Sequence, residues 1–188
     1  PYSIFLEIFF KSIKLKKIKK PIILIVSKKL FVKQMKELNF HFEFNLIDKN
    51  KINFKNLSNK RINLIDIDFK FIKTFGKITN KSNFYIEESF KTALKILKKN
   101  ECAGLINGPV SKKNFLREKF LGITEYLACK ENKTDKVAML IYNNKLSVSP
   151  VTTHLALKEV HKHITKKKII NHVELIKEFY IKKIKKNP

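Results

Sequence analysis

Apolar positions along the chain recur in patterns that predict both helices and buried strands. Ile4, Ile8 and Ile13, with Phe5 and Phe9, return at helical spacing, and the lysines that follow suit the negative end of a helix dipole. Pro21 then opens "IILIVS", a continuous apolar run of the kind buried parallel strands show. "KLFVKQMKELNF" predicts a helix, "FEFNLI" a short strand and "INLIDIDF" another, with a polar Asn/Lys loop between about residues 49 and 60.

The stretch "NKSNFYIEESFKTALKILKKN" predicts the best-formed helix of the chain. Ser82 stands as its N-cap, glutamates come early and lysines late, and Ile86, Phe90, Ala93, Leu94 and Leu97 share a face. "CAGLI" follows as a short apolar strand, which Asn107-Gly108-Pro109 breaks before another helical stretch. Helix, buried strand, glycine loop and helix in succession predict an open α/β sheet, in which ligands gather at the carboxyl ends of the strands. "KVAMLIYNNKLSVSPVTTH" predicts a hairpin turning at Asn143-Asn144, residues that tolerate the left-handed conformation, with Pro150 limiting its second arm. One helix starts after His154 and runs through Leu157 and Val160. A last one is capped by Thr165 and carries Ile169, Val173, Ile176, Tyr180 and Ile184 on one face.

Composition adds a globular class and a question about partners. A hydrophobic fraction of 44% in 188 residues suffices for a core, and no run reaches the length a membrane span needs. The formal net charge of +25 raises nucleic acid or an anionic membrane surface as partners. Against that, the lysines are spread along the whole chain almost without arginine, whereas phosphate and base recognition favour the arginine fork. Abundant Lys, Ile, Asn and Phe are also what AT-only codons specify. The expectation is therefore no nucleic acid and no membrane as partner. Cys102 and Cys129 build no disulfide framework and lack metal-ligand spacing, which fits a reducing cytoplasm.

Three places hold candidate chemistry. "NGPVSKK" is either an anion cradle, with Gly108 permitting close backbone approach and Lys112 adding charge, or a plain strand-to-helix turn. In "GITEYLACKE", Thr124 offers a hydroxyl either to a substrate or as an ordinary cap. His154 sits between a strand and a helix, beside Thr152 and Thr153. Imidazole there suits a divalent cation, but a catalytic site usually takes three protein ligands, and the residues alone supply no partners for it. His161 and His163, two apart on a helix, face different ways, and His41 and His172 belong to no constellation.

"CAGLINGPVSKKNF", "GITEYLA" and "VAMLIYNNKLSVSPVTTHLALKEVHKHIT", in that order and spacing, resemble the 4-hydroxythreonine-4-phosphate dehydrogenase family, relatives of the isocitrate and isopropylmalate dehydrogenases. The resemblance is strong from about residue 80 to 188 and fainter before. At the N-terminus "PYSIFLEI" is similar to the family's Gly-Asp-Pro-x-Gly-Ile-Gly-Pro-Glu-Ile, of which Pro1, Ile4, Glu7 and Ile8 remain.

The resemblance implies a three-layer α/β/α fold of the isocitrate/isopropylmalate dehydrogenase type, incomplete at the C-terminus, with residues 1–188 as the N-terminal portion of a two-lobed enzyme. It implies oxidation by NAD or NADP, and decarboxylation, of 4-phosphohydroxy-L-threonine to 3-amino-2-oxopropyl phosphate in vitamin B6 biosynthesis. A divalent metal (Zn, Mg or Co) held by three histidines across a homodimer interface would polarise the substrate hydroxyl. The family's Thr-Thr-His-Leu-Pro-Leu motif falls on Thr152-Thr153-His154-Leu155-Ala156-Leu157, which makes His154 the expected metal ligand. Its Gly-His-Thr-Glu motif falls on Gly122-Ile123-Thr124-Glu125, which places Thr124 and Ile123 at the substrate, with an isoleucine unable to hydrogen-bond where the family has histidine. The Asn-Pro-His-Ala-Gly and Tyr-His-Asp-Gln-Gly motifs, which carry the other two metal histidines, do not occur in the chain. The resemblance therefore implies that the isolated chain, with no catalytic residue assigned and its cofactor-binding residues unknown, is inactive. The alternative from another class is a basic nucleic-acid- or anionic-surface-binding module.

Overall fold

The computed structural model describes residues 3–16, 19–117, 119–134 and 136–187, so Pro1 and Pro188 lie outside the described residues. The chain forms two compact units, Pro1–Phe115 and Leu116–Pro188.

The first unit begins with helix α1 (Phe5–Leu15) and strand β1 (Ile23–Val26). Helix α2 (Lys28–Glu37) and strands β2 (Phe44–Leu46) and β3 (Ile62–Asp66) follow, and helix α3 (Asn83–Leu97) comes after them. The strands are parallel in the order β1-β3-β2. Because parallel neighbours cannot be joined by a tight turn, α2 serves as the crossover, and β3 returns to the space between the two earlier strands. Leu64 and Ile65, on opposite sides of β3, are both buried, so this strand is covered on both faces. The result is a mixed α/β fold with a helix-covered parallel sheet.

The buried polar residue of β3, Asn63, is satisfied. Asn63 Nδ2 donates to the carbonyls of Ile22 (3.0 Å) and Ser58 (2.8 Å), and Oδ1 accepts from Ser58 N (2.9 Å). Its amide thus stitches the end of the polar loop to the sheet without leaving an unpaired buried group.

At the carboxyl end of β1, Ser27 caps α2 by accepting from Leu30 N, and Asp66 Oδ1 accepts from Lys28 N at 2.8 Å. Ser27 N in turn donates to the buried Tyr85 hydroxyl at 3.0 Å, tying α3 to the sheet. Burial pushes the Tyr85 hydroxyl up to about 12, against smaller downward pulls from hydrogen bonds with Ser27 and Ser89. The neutral phenol is therefore favoured in the folded chain. Its contribution is complete below the unfolded value near 10 and disappears as the pH rises through about 12, at roughly 1.4 kcal/mol per pH unit in between. Urea unfolding from pH 10 to 12 is expected to show stability falling faster in the parent than in Tyr85→Phe. Parallel slopes would show that Tyr85 titrates normally.

Several expected details shift. In α1 Leu6 and Phe10 are buried and the expected Phe5, Phe9 and Ile13 pack against the core, while Ile8 and the preceding Ile4 face solvent. In α3 the buried positions are Tyr85, Phe90, Thr92, Ala93 and Ile96, with Ile86, Leu94 and Leu97 half-buried, and the Tyr85 hydroxyl accepts from Ser27 N. Ser82 occupies the N-cap position of α3 but makes no capping bond. Its hydroxyl donates instead to the Thr79 carbonyl, since a short 3-10 turn (Asn80–Ser82) precedes the helix. "CAGLI" is not a strand: its backbone is irregular and Ile106 is 90% exposed. An apolar run becomes a strand only when a sheet edge supplies its hydrogen bonds, and no edge is paired to this run.

The second unit holds helices α4 (Ile123–Lys130), α5 (Leu157–His163) and α6 (Lys166–Phe179), the last continued by a wider turn over Tyr180–Ile184. Thr165 caps α6 as expected, its hydroxyl accepting from Lys168 N at 3.2 Å. Of the expected face, Ile176, Tyr180 and Ile184 are half-buried and Ile169 and Val173 are exposed. The hairpin is reduced to one antiparallel bridge, Ile141 with Val148, closed by reciprocal bonds of 2.8 and 2.9 Å. Its turn does not use left-handed asparagines. Asn143 Oδ1 instead accepts from Lys145 N at 3.0 Å, a side-chain turn that leaves φ negative.

Candidate functional site

The candidate residues of the second unit converge at the start of α4. Gly122 takes the N-cap position with extended backbone (φ −160°, ψ 178°), a conformation any residue adopts. A Cβ at Gly122 would stand 2.8 Å from Glu125 Oε2 and 3.7 Å from His154 Nε2. The carboxylate and the imidazole therefore share one small space above the Gly122 backbone. "GITE" and "TTHL", separate in the sequence, meet there.

His154 is exposed and left-handed, with φ 57°. A non-glycine residue in that region carries strain of about 1–2 kcal/mol, and such residues cluster at functional sites. Glu125 Oε2 is buried with no hydrogen-bond partner. A glutamate at the third helical position commonly closes a capping box by accepting from the N-cap N–H, but α4 has no such bond to this oxygen.

Ile123 and Thr124 are the first two residues of α4, both half-buried. Because Gly122 holds the cap position, the Thr124 hydroxyl is not a cap. The expected metal ligand thus lies beside the expected substrate-binding motif. Glu125 carried no expected role. The signal that could have found it was its place as the last residue of the Gly-x-Thr-Glu motif.

The orphaned oxygen and the imidazole, both beside the Gly122 backbone, are of the donor types a divalent cation takes, carboxylate oxygen and imidazole nitrogen. Among the described residues no three His, Cys, Asp or Glu side chains gather at one point, so a cation here would draw further ligands from elsewhere. His161 and His163 are exposed on α5, and His172 Nδ1 lies 3.2 Å from the Lys168 carbonyl.

In the first unit, the "NGPVSKK" loop packs as a plain turn. Gly108 approaches Phe5: a Cβ there would meet Phe5 Cδ2 at 2.2 Å. The loop lines an apolar cavity of about 180 Å³ with Leu6, Leu24 and Phe90, and only a five-residue turn (Lys112–Leu116) follows it. No helix of the described residues is long and apolar enough to cross a membrane.

The chain matches, over residues 17–188, the family described as pyridoxal phosphate biosynthetic protein PdxA. It is 36% identical over 117 residues to the 4-hydroxythreonine-4-phosphate dehydrogenase of Sulfurihydrogenibium sp. (strain YO3AOP1), covering 61% of this chain and 35% of that protein. To the enzyme of the same name from Aquifex aeolicus (strain VF5) it is 36% identical over 89 residues, 45% of this chain and 27% of that protein. The chain thus spans about a third of the length of these curated relatives. The crystal structure of 4-hydroxythreonine-4-phosphate dehydrogenase from Klebsiella pneumoniae superposes with a TM-score of 0.65 at 20% identity, covering 86% of this chain and 50% of that one. That likeness shows the fold.

Proposed function

This chain belongs to the family of pyridoxal phosphate biosynthetic protein PdxA, and from that premise we propose that it supplies the N-terminal portion of a 4-hydroxythreonine-4-phosphate dehydrogenase. The reaction is oxidation of the secondary alcohol of 4-phosphohydroxy-L-threonine by NAD or NADP, followed by decarboxylation to 3-amino-2-oxopropyl phosphate. The observation that carries this reading is the meeting of Glu125 Oε2 and His154 Nε2 above Gly122, where the two motifs of the resemblance come together.

His154 holds a divalent cation (Zn, Mg or Co), which when bound supplies Lewis-acid polarisation of the substrate hydroxyl. The Thr124 hydroxyl donates to or accepts from the phosphorylated substrate at the start of α4. Ile123 forms an apolar wall there and orients by contact alone. The remaining donors would be supplied by the rest of the enzyme, in an assembly that is a homodimer. Such chemistry belongs to the cytoplasm. Family membership does not favour the alternative of a basic binding module.

The test is an assay of the protein encoded by the gene from which this sequence comes, read to its own start and stop codons. With 4-phosphohydroxy-L-threonine, a divalent metal and NAD or NADP, reduced nicotinamide is expected to form and chelator to abolish it. The 188-residue chain alone is expected to form none. Failure of the gene product to reduce either nicotinamide would overturn the proposal.

A further inference from the structure

We propose that the cleft between α3 and the loop following β2 binds a small oxyanion of the phosphate type, a phosphate or diphosphate group. The cleft lies wholly within the first unit, has a volume of about 240 Å³, and is lined by Lys49, Asn50, Glu88, Lys91, Thr92 and Lys95. Three ammonium groups therefore face one carboxylate, which leaves two positive charges over. Lysine binds phosphate as a point charge, and a dianion meets that surplus.

The spacing lets these groups act together. Lys91 and Lys95 are four apart on α3, Thr92 and Lys95 three apart, and helical residues so spaced have Cβ atoms about 5–6 Å from each other. Two lysine stems on that spacing reach a common point, and Lys49 lines the same cleft from the loop. Lys49 and Lys95 make no ion pair with the described residues. Glu88 Oε1 stands 3.3 Å from Lys91 Nζ, but Lys91 is exposed, and an exposed pair of this kind is weak. Nor does the negative end of the helix dipole, about half a charge, cancel a surplus of two. Asp48, the acid of the same loop, does not line the cleft; its Oδ1 accepts from Asn50 N at 2.8 Å.

Lysines alone would make a solvated helix face, and this chain carries them throughout. The independent observation is Thr92. It is 8% exposed, it lines the cleft, and its hydroxyl makes no hydrogen bond with the described residues. A hydroxyl so buried ordinarily takes a partner, and for a threonine inside a helix the usual one is the carbonyl four residues back. Here that bond is not made, and the hydroxyl is left as a donor to an oxyanion that the lysines hold.

The experiment is a lysine acetylation footprint of the protein encoded by the intact gene, read residue by residue by mass spectrometry, with inorganic pyrophosphate as the probe. In about 0.15 M salt the screening length is about 8 Å, so the charge of the chain as a whole contributes little. Lys49, Lys91 and Lys95 are expected to be protected together and saturably, with Lys29 and Lys70, exposed lysines of the same unit, unprotected. Lys91→Gln and Lys95→Gln together are expected to raise the half-protecting concentration at Lys49 about tenfold. Thr92→Val keeps the shape and removes the hydroxyl, and is expected to raise it as well, whereas Lys29→Gln with Lys70→Gln is expected to leave it unchanged. Equal protection of all exposed lysines, or equal weakening by the Lys29 and Lys70 substitutions, would mean diffuse attraction to a basic chain and overturns the proposal. Thr92→Val protected like the parent would reduce the cleft to a solvated lysine face and overturns it too. Far-ultraviolet circular dichroism checks that each variant is folded, and the parent footprint decides without any variant: no protection at Lys49, Lys91 and Lys95 means no site.

Discussion

Replacing His154 by asparagine in the protein encoded by the intact gene is expected to lower kcat/KM for the proposed oxidation about a thousandfold or more, equivalent to about 4 kcal/mol of transition-state stabilisation. Asparagine is the informative replacement because His154 sits at φ 57°. Alanine there would add backbone strain to the loss of the imidazole, whereas asparagine enters the left-handed region readily. A metal ligand acts on the developing alkoxide more than on the bound alcohol, so the loss belongs in kcat, with a smaller change in KM. Steady-state kinetics at saturating metal measures it. An unchanged kcat/KM would remove His154 from the site, and full recovery at higher metal concentration would limit its role to affinity.

The second large effect is on stability. Phe10→Ala is expected to destabilise the first unit by about 3–5 kcal/mol, a large part of what a domain of this size possesses. Phe10 is 0% exposed, with its ring 5.3 Å from that of Phe31, 5.4 Å from Phe40 and 5.8 Å from Phe42. Truncation would leave a void where α1 meets α2 and the segment leading into β2. Ile8, on the same helix but 46% exposed, is the internal comparison: Ile8→Ala is expected to cost less than about 1 kcal/mol. Urea unfolding of both variants separates the observed core face from the Ile4/Ile8 positions that spacing suggested. Equal losses would mean that α1 packs on the other side.

That contrast shows where the sequence was legible. A short continuous apolar run such as "IILIV" has few options, because burial on both faces of a sheet accommodates it, and it became a parallel strand, as did the "INLID" segment expected to be extended. Thr165 before a lysine-rich amphipathic segment specified its own cap, because that bond is local. Local signals failed where the outcome depended on a distant partner. Ser82 lost its cap to a preceding turn, "CAGLI" found no edge, and the buried face of α3 includes Tyr85, whose hydroxyl accepts from Ser27 N far away in the chain.

The candidate site divides in the same way. His154 and Thr124 were visible as residue types in recognisable motifs, and the Gly-x-Thr-Glu and Thr-Thr-His-Leu order established the family resemblance. By itself the sequence determined the parallel α/β class, the cap of the last helix and which residue types stand as candidates for chemistry, because each depends on spacing along one segment. Only the tertiary structure decided which face of each helix is core, that "CAGLI" has no sheet partner, and that Glu125 shares a space with His154 above Gly122. Those facts join residues far apart in the chain, and such contacts follow from how elements pack, which no local pattern encodes.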